Sequence, residues 1–159
     1  MINIEYDRSK ALNYAKTWAY SRNPAYYNFE NLGGDCTNFA SQVIYAGCGV
    51  MNYSPYGWYY SSLNNRAPAW TGVEFLYDFL VNNKNEGPYG VEVDRKDIEV
   101  GDIVQLSFIE GTFGHSPVVT RAGRELLVAA HTFDAYNRPL DSYAYYDIRY
   151  IHIIGARKR

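Results

Sequence analysis

The residue best placed for covalent chemistry is Cys36, in the run Gly33-Gly34-Asp35-Cys36-Thr37-Asn38-Phe39-Ala40-Ser41-Gln42. This reads as a glycine-hinged loop, an N-cap aspartate and a helix that begins on a thiol. Aspartate is a favoured N-cap because its carboxylate accepts the unpaired N–H groups of the first turn. Those N–H groups and the helix dipole favour negative charge, so a thiol there is expected to ionise more easily than a free one. Positions 36, 39, 40, 43, 44 and 47 form one apolar stripe at helical spacing, which aims Cys36 at the body of the protein. A buried free cysteine also serves as a small hydrophobe, so nucleophilic chemistry requires histidine partners elsewhere in the chain.

Three histidines exist: His115, His131 and His152. Gly114 to Thr120, the turn Arg121-Ala122-Gly123-Arg124 and Glu125 to His131 read as a hairpin centred on residue 123, the midpoint of 115 and 131. That register sets His115 opposite His131 on one face of a sheet, with Cβ atoms about 5 Å apart. His115 would take the thiol proton and return it to a leaving amine. His131 would orient His115 as the third member of a triad. The Cys36 N–H is a natural oxyanion donor, with a Tyr26 or Tyr27 hydroxyl as a possible second. The same Cys36, His115 and His131 could instead hold zinc, but no close-spaced ligand pair supports that, and no metal or cofactor is expected.

Stepping outward from these residues, a first helix is predicted over 7–22, capped by Asp7 and stopped by Asn23-Pro24. A central helix follows over 36–47. Thr71-Gly72-Val73-Glu74 has the capping-box pattern and opens a third helix to about Asn83. The stretch Val50 to Pro68 has no period, yet carries Tyr53, Tyr56, Trp58, Tyr59 and Tyr60. It is read as an aromatic wall of a binding groove. Short β-branched runs at 89–93, 102–109, 115–121, 125–131 and 147–155 come last. Helices first and strands after predict an α+β domain with the nucleophile helix packed on an antiparallel sheet. His152 is read as a half-exposed sheet histidine, and Cys48, between Gly47 and Gly49, as structural. On one helix the two cysteines would lie about 18 Å apart, too far to bridge.

With 159 residues and no repeat or linker, residues 1–159 are expected to form a single domain. A net charge of −2 and the absence of a basic run beyond Arg157-Lys158-Arg159 argue against nucleic-acid binding. No apolar run approaches a membrane span, and Met1-Ile2-Asn3-Ile4-Glu5 has no signal-peptide pattern. Export stays open if the chain derives from a longer precursor, and a monomer is expected. The 17 tyrosines suit recognition of sugars or peptides, and equally the packing of a small domain.

The run Gly34 to Gln42, preceded by Asn23-Pro24-Ala25-Tyr26 and followed by Trp70, Gly114-His115-Ser116 and His131-Thr132, resembles the bacterial putative amidase domain, a papain-like relative of the NlpC-type cell-wall endopeptidases. Val100-Gly101-Asp102-Ile103-Val104 is similar to the turn-into-strand entry common in NlpC-type domains. The likeness extends from about residue 8 to 153. It implies a papain-like fold, Cys36 as nucleophile, His115 as base and His131 as third polar residue, with Asp134 or Asn137 as alternatives there. It further implies a thioester intermediate and a peptide or peptidoglycan-derived substrate. Tyr26, Tyr27, Asp35, Trp58 and Trp70 are expected to line the substrate site. Asp35 would cap the helix and raise the thiol pKa, or turn away to bond backbone. The competing reading is an inactive aromatic-groove module that binds wall peptide or glycan; an acyl transferase would use the same residues.

Overall fold

The computed structural model describes residues 1–159. Its elements in chain order are β1 (Ile2–Ile4), α1 (Arg8–Trp18), α2 (Cys36–Cys48), β2 (Tyr60–Ser62), β3 (Asn65–Arg66), α3 (Pro68–Thr71), α4 (Val73–Asn82), β4 (Gly87–Val93), β5 (Ile103–Ile109), β6 (Thr112–His115), β7 (Val118–Arg121), β8 (Leu127–Ala130), β9 (Ala135–Pro139) and β10 (Asp147–Lys158). Asp7 caps α1 by accepting the Lys10 N–H at 3.0 Å. Gly49, at φ 70°, ends α2 in the left-handed conformation that glycine adopts without strain. The capping box expected at Thr71 does not form: Thr71 closes the short α3 and accepts from Arg66 Nε at 3.1 Å, while Gly72 precedes α4.

The strands form a curled antiparallel sheet in the order β1-β10-β5-β7-β8-β9, with β4 added to β10 and β6 to β5. Ile103, Val118, Ala129, Ile151 and Ile153 face the helices and join Ala11, Ala15, Phe39, Val43, Ile44, Leu76 and Leu80 in one core. Their sequence neighbours Val104, Val119 and Val128 join Leu106, Leu126 and Leu140 in a smaller cluster, as period-two alternation requires. Gly47 lets α2 meet the start of α1: a Cβ there would stand 2.3 Å from Tyr6 Cε1.

Two details of the sheet place the candidate histidines. The strand expected over 115–121 is broken at Ser116-Pro117, since proline has no N–H to give the ladder. The β7–β8 register pairs Val118 with Ala129 and Val119 with Val128. Continued outward, it sets Ser116, not His115, against His131. His115 instead pairs with Leu106 of β5. The two histidines are therefore not cross-strand partners: the hairpin closes with Arg121 opposite Leu127, centred on residue 124 instead of 123, and the bulge between Val119 and Arg121 recovers only part of that offset.

Buried Asp102 joins three segments. It accepts from Arg8 Nη1 at 2.7 Å, the Ile153 N–H at 2.9 Å, the Glu99 N–H at 2.8 Å and His152 Nδ1 at 2.8 Å. His152, partly exposed, is thus a sheet residue engaged in a structural ion cluster.

Candidate active site

Asp35 precedes α2 but does not cap it. Its carboxylate turns inward, where Oδ1 accepts from the Phe29 N–H at 2.8 Å and from Asn38 Nδ2 at 2.9 Å. Oδ2 lies 2.5 Å from His131 Nδ1 and 3.4 Å from Arg22 Nε. Burial pushes this carboxyl up, and the bonds from His131, Asn38 and Phe29 more than offset it, leaving it below the usual carboxylate range. Fully buried, Asp35 has no surface for a substrate. Because it does not cap α2, the first-turn N–H groups of the helix receive no oxygen from it.

The other polar residues of the run are tied into the core. Asn38 Oδ1 accepts from Trp70 Nε1 at 2.9 Å; Ser41 Oγ accepts from Trp58 Nε1 at 3.0 Å and donates to the Trp70 carbonyl at 2.9 Å. Gln42 accepts from the Tyr14 hydroxyl at 2.5 Å. Trp58 and Trp70 are fully buried with ring centroids 4.6 Å apart. The expectation that they line the substrate site is corrected accordingly: they fill the core beneath the loop. Tyr26 stacks on Trp70 at 5.9 Å and packs on Tyr60, whereas Tyr27 remains exposed and is edge-on to Phe29.

Cys36 is buried. Its sulfur is 3.7 Å from Thr37 Oγ1 and donates to the Gly114 carbonyl at 4.0 Å. Thr37 continues inward to Ser116 Oγ at 3.1 Å, and Gln105 Nε2 bonds that same hydroxyl at 3.2 Å. Burial pushes the thiol above its ordinary pKa; the hydrogen bonds from Thr37 and Ser116 pull the other way, and the Asp35 charge adds to the rise. The expected easy ionisation is thus reversed, because desolvation of a thiolate outweighs the helix start.

His115 ends β6 and is buried beside the rings of Phe108 (6.3 Å) and Tyr143 (5.8 Å). Burial, then the nearby Arg138 charge, push its pKa down to about 4, so the imidazole is neutral near pH 7. No side-chain oxygen or sulfur holds it, Cys36 included. His131 is not its orienting partner. Its Nε2 lies 2.7 Å from the Trp18 carbonyl, which can only accept, and its Nδ1 faces the Asp35 carboxylate. Both ring nitrogens are thus occupied, one by the carboxylate and one by the carbonyl, leaving neither for a third group. Phe39 stacks on it at 4.0 Å. Asp134 is not an orienter either: both its oxygens take Arg22 at 3.0 Å, and Asn137 sits at φ 56° within β9, where the pairing with β8 is irregular. With His131 so engaged, the Cys36, His115 and His131 set is not arranged to bind zinc.

A cleft of about 490 Å³ opens beside His115, lined by Phe108, Gly114, Thr132, Phe133, Arg138, Tyr143 and Ala144. Thr132 and Phe133 are consecutive non-glycine residues at φ 60° and 62°. Such strain costs roughly 1–3 kcal/mol per residue and concentrates at functional sites. The Asp35 N–H donates to Thr132 Oγ1 at 3.1 Å, fixing the strained pair against the start of α2. Reading the sequence missed this wall, Arg138 and Tyr143 included; an arginine next to Pro139 carries no periodic or motif signal.

Residues 5–154 match a family described as putative amidase domain. The chain belongs to that family. It is also similar to a protein of Bacillus subtilis (strain 168) described only as uncharacterized protein YhbB, with 34% identity over 142 residues. That match covers 85% of this chain and 44% of the relative, so the chain spans less than half the relative's length. No solved structure matches. No helix is long and apolar enough to cross a membrane.

Proposed function

We propose that this chain is a cysteine-dependent amide hydrolase of papain-like, NlpC-type architecture, formed by residues 1–159 as a single domain and acting as a monomer on a cell-wall peptide or related amide. Membership of an amidase family supports the reaction class. The observation that carries the residue assignment is that the start of α2 meets both neighbours of His115: the Cys36 sulfur reaches the Gly114 carbonyl at 4.0 Å, and Thr37 Oγ1 lies 3.1 Å from Ser116 Oγ.

On this reading the resting site holds a neutral thiol and a neutral imidazole. The single S–H proton must be redirected from the Gly114 carbonyl to His115 as sulfur attacks the amide carbon. The oxyanion forms against the free N–H groups at the start of α2. The imidazolium then gives its proton to the departing amine, leaving a thioester. Water, deprotonated by His115, cleaves the thioester and restores the thiol. His131 and Asp35 hold the helix start in place instead of completing a relay. A second reading, a wall-binding module without turnover, draws on the protonated thiol and the lack of an imidazole bonded to it.

Mass spectrometry of peptidoglycan fragments incubated with wild type and with Cys36→Ala separates the two. New amine and carboxyl termini with wild type alone support the hydrolase. Binding without products supports the module.

A further inference from the structure

Arg138 is the one formally charged residue on the lining of the cleft beside His115. Its guanidinium carbon sits over the Tyr143 ring, 3.6 Å from the ring centre, a cation–π contact that holds the group against the wall. Nε donates to Ser142 Oγ at 2.8 Å and Nη2 reaches the Ser142 carbonyl at 3.4 Å; Nη1 bonds nothing. No carboxylate pairs with it. The neighbouring acids are already committed: Glu30 and Asp134 to Arg22, and Asp141 to Arg95. The Tyr143 phenol oxygen, also on this wall, is buried without a hydrogen-bond partner. A charged, oriented and unpaired fork therefore stands in a cleft walled by Phe108, Phe133 and Tyr143.

We propose that Arg138 is the specificity determinant of this cleft and recognises a carboxylate on the substrate, so that the amides acted on are acidic peptides with a carboxylate close to the scissile bond. The inference rests on the hydrolase reading for its link to turnover, and on the cleft geometry for recognition itself. A guanidinium matches a carboxylate through paired, charge-assisted N–H donors. A carboxylate seated there also offsets the positive charge that Arg138 projects onto His115, and so makes the imidazole a better base as substrate arrives.

The test uses N-acetyl peptides in matched pairs that differ only in Glu or Gln beside the scissile amide. Binding is measured on Cys36→Ala and on Cys36→Ala with Arg138→Gln; hydrolysis is measured on wild type, Arg138→Gln and Arg138→Lys. A charge-assisted hydrogen bond corresponds to a preference of about tenfold to a hundredfold for Glu. Arg138→Gln is expected to erase that preference, read as the Glu-to-Gln ratio within each variant, and Arg138→Lys to keep part of it. Hydrolysis of both members with equal efficiency overturns the inference and leaves the hydrolase reading standing. Selective binding of the Glu peptide without hydrolysis by wild type supports the inference and removes the hydrolase reading. Equal binding of Glu and Gln peptides, or no binding of either, overturns the inference.

Discussion

Nδ1 of His131 stands 2.5 Å from Oδ2 of Asp35, and both side chains are buried. The imidazole also holds the last turn of α1 through the Trp18 carbonyl, so one ring joins α1, the loop before α2 and the end of β8. Asp35→Asn leaves that ring without its carboxylate partner, while Arg22 keeps Glu30 and Asp134. Removing one partner of a buried pair costs about 3–5 kcal/mol. Urea unfolding of the variant at pH 7 is expected to show a loss of that size; an unchanged midpoint contradicts the structural role.

The same pair sets the response to acid. The Asp35 carboxyl lies below its ordinary range in the folded protein, so the folded state binds its proton less readily than the unfolded chain. Its contribution is full above the unfolded value, about 3.9, and is lost as pH falls through the lower folded value. Melting temperatures of wild type and Asp35→Asn between pH 2 and 7 should therefore converge at the acid end. A gap that stays constant throughout contradicts this linkage.

Cys36 and Cys48 both lie above the ordinary thiol range, Cys48 at about 11. In the absence of substrate, both are expected to alkylate with iodoacetamide more slowly than a free thiol at pH 7. The rate should climb steadily with pH as thiolate forms. Peptide mapping of the alkylated protein measures each site separately. A plateau in the Cys36 rate below pH 7 would instead reveal a resident thiolate–imidazolium pair.

Trp58 and Trp70 belong to the core, anchored by Ser41 and Asn38. Truncation of a buried tryptophan to alanine costs about 3–5 kcal/mol. Ser41→Ala, which strips the Trp58 indole N–H of its acceptor, costs about 1–3 kcal/mol. Chemical denaturation should give those losses. Weakened peptide binding with stability intact would return the tryptophans to a ligand-facing role.

How much of this was legible beforehand follows from the range of the forces involved. Apolar periodicity located α1, α2 and α4 and the main strands, because a repeating stripe is written locally; α1 nevertheless ends at Trp18, well before Asn23-Pro24. The α2 stripe placed Cys36 facing inward, as found. The pairing of His115 with His131 depended on a turn centred on residue 123, whereas the hairpin closes around 124 with a bulge before Arg121. Asp35 had two possible duties, and which it performs is decided by His131, 96 residues away. The direction of the Cys36 shift turns on burial by Gly114 to Ser116, which no local motif encodes. Arg138 and Tyr143 entered the site only through the folding of β9 and the segment that follows it.

The central claim is that Cys36 forms a covalent thioester with an amide substrate and that His115 moves the protons. Acid-quenched intact-mass analysis, followed by peptide mapping during digestion of peptidoglycan-derived peptides, tests it directly. The account predicts an acyl adduct on Cys36 in wild type, strongly reduced in His115→Ala and absent in Cys36→Ala. Undiminished product formation by Cys36→Ala, or neither adduct nor product with the wild-type protein on these peptides, contradicts it.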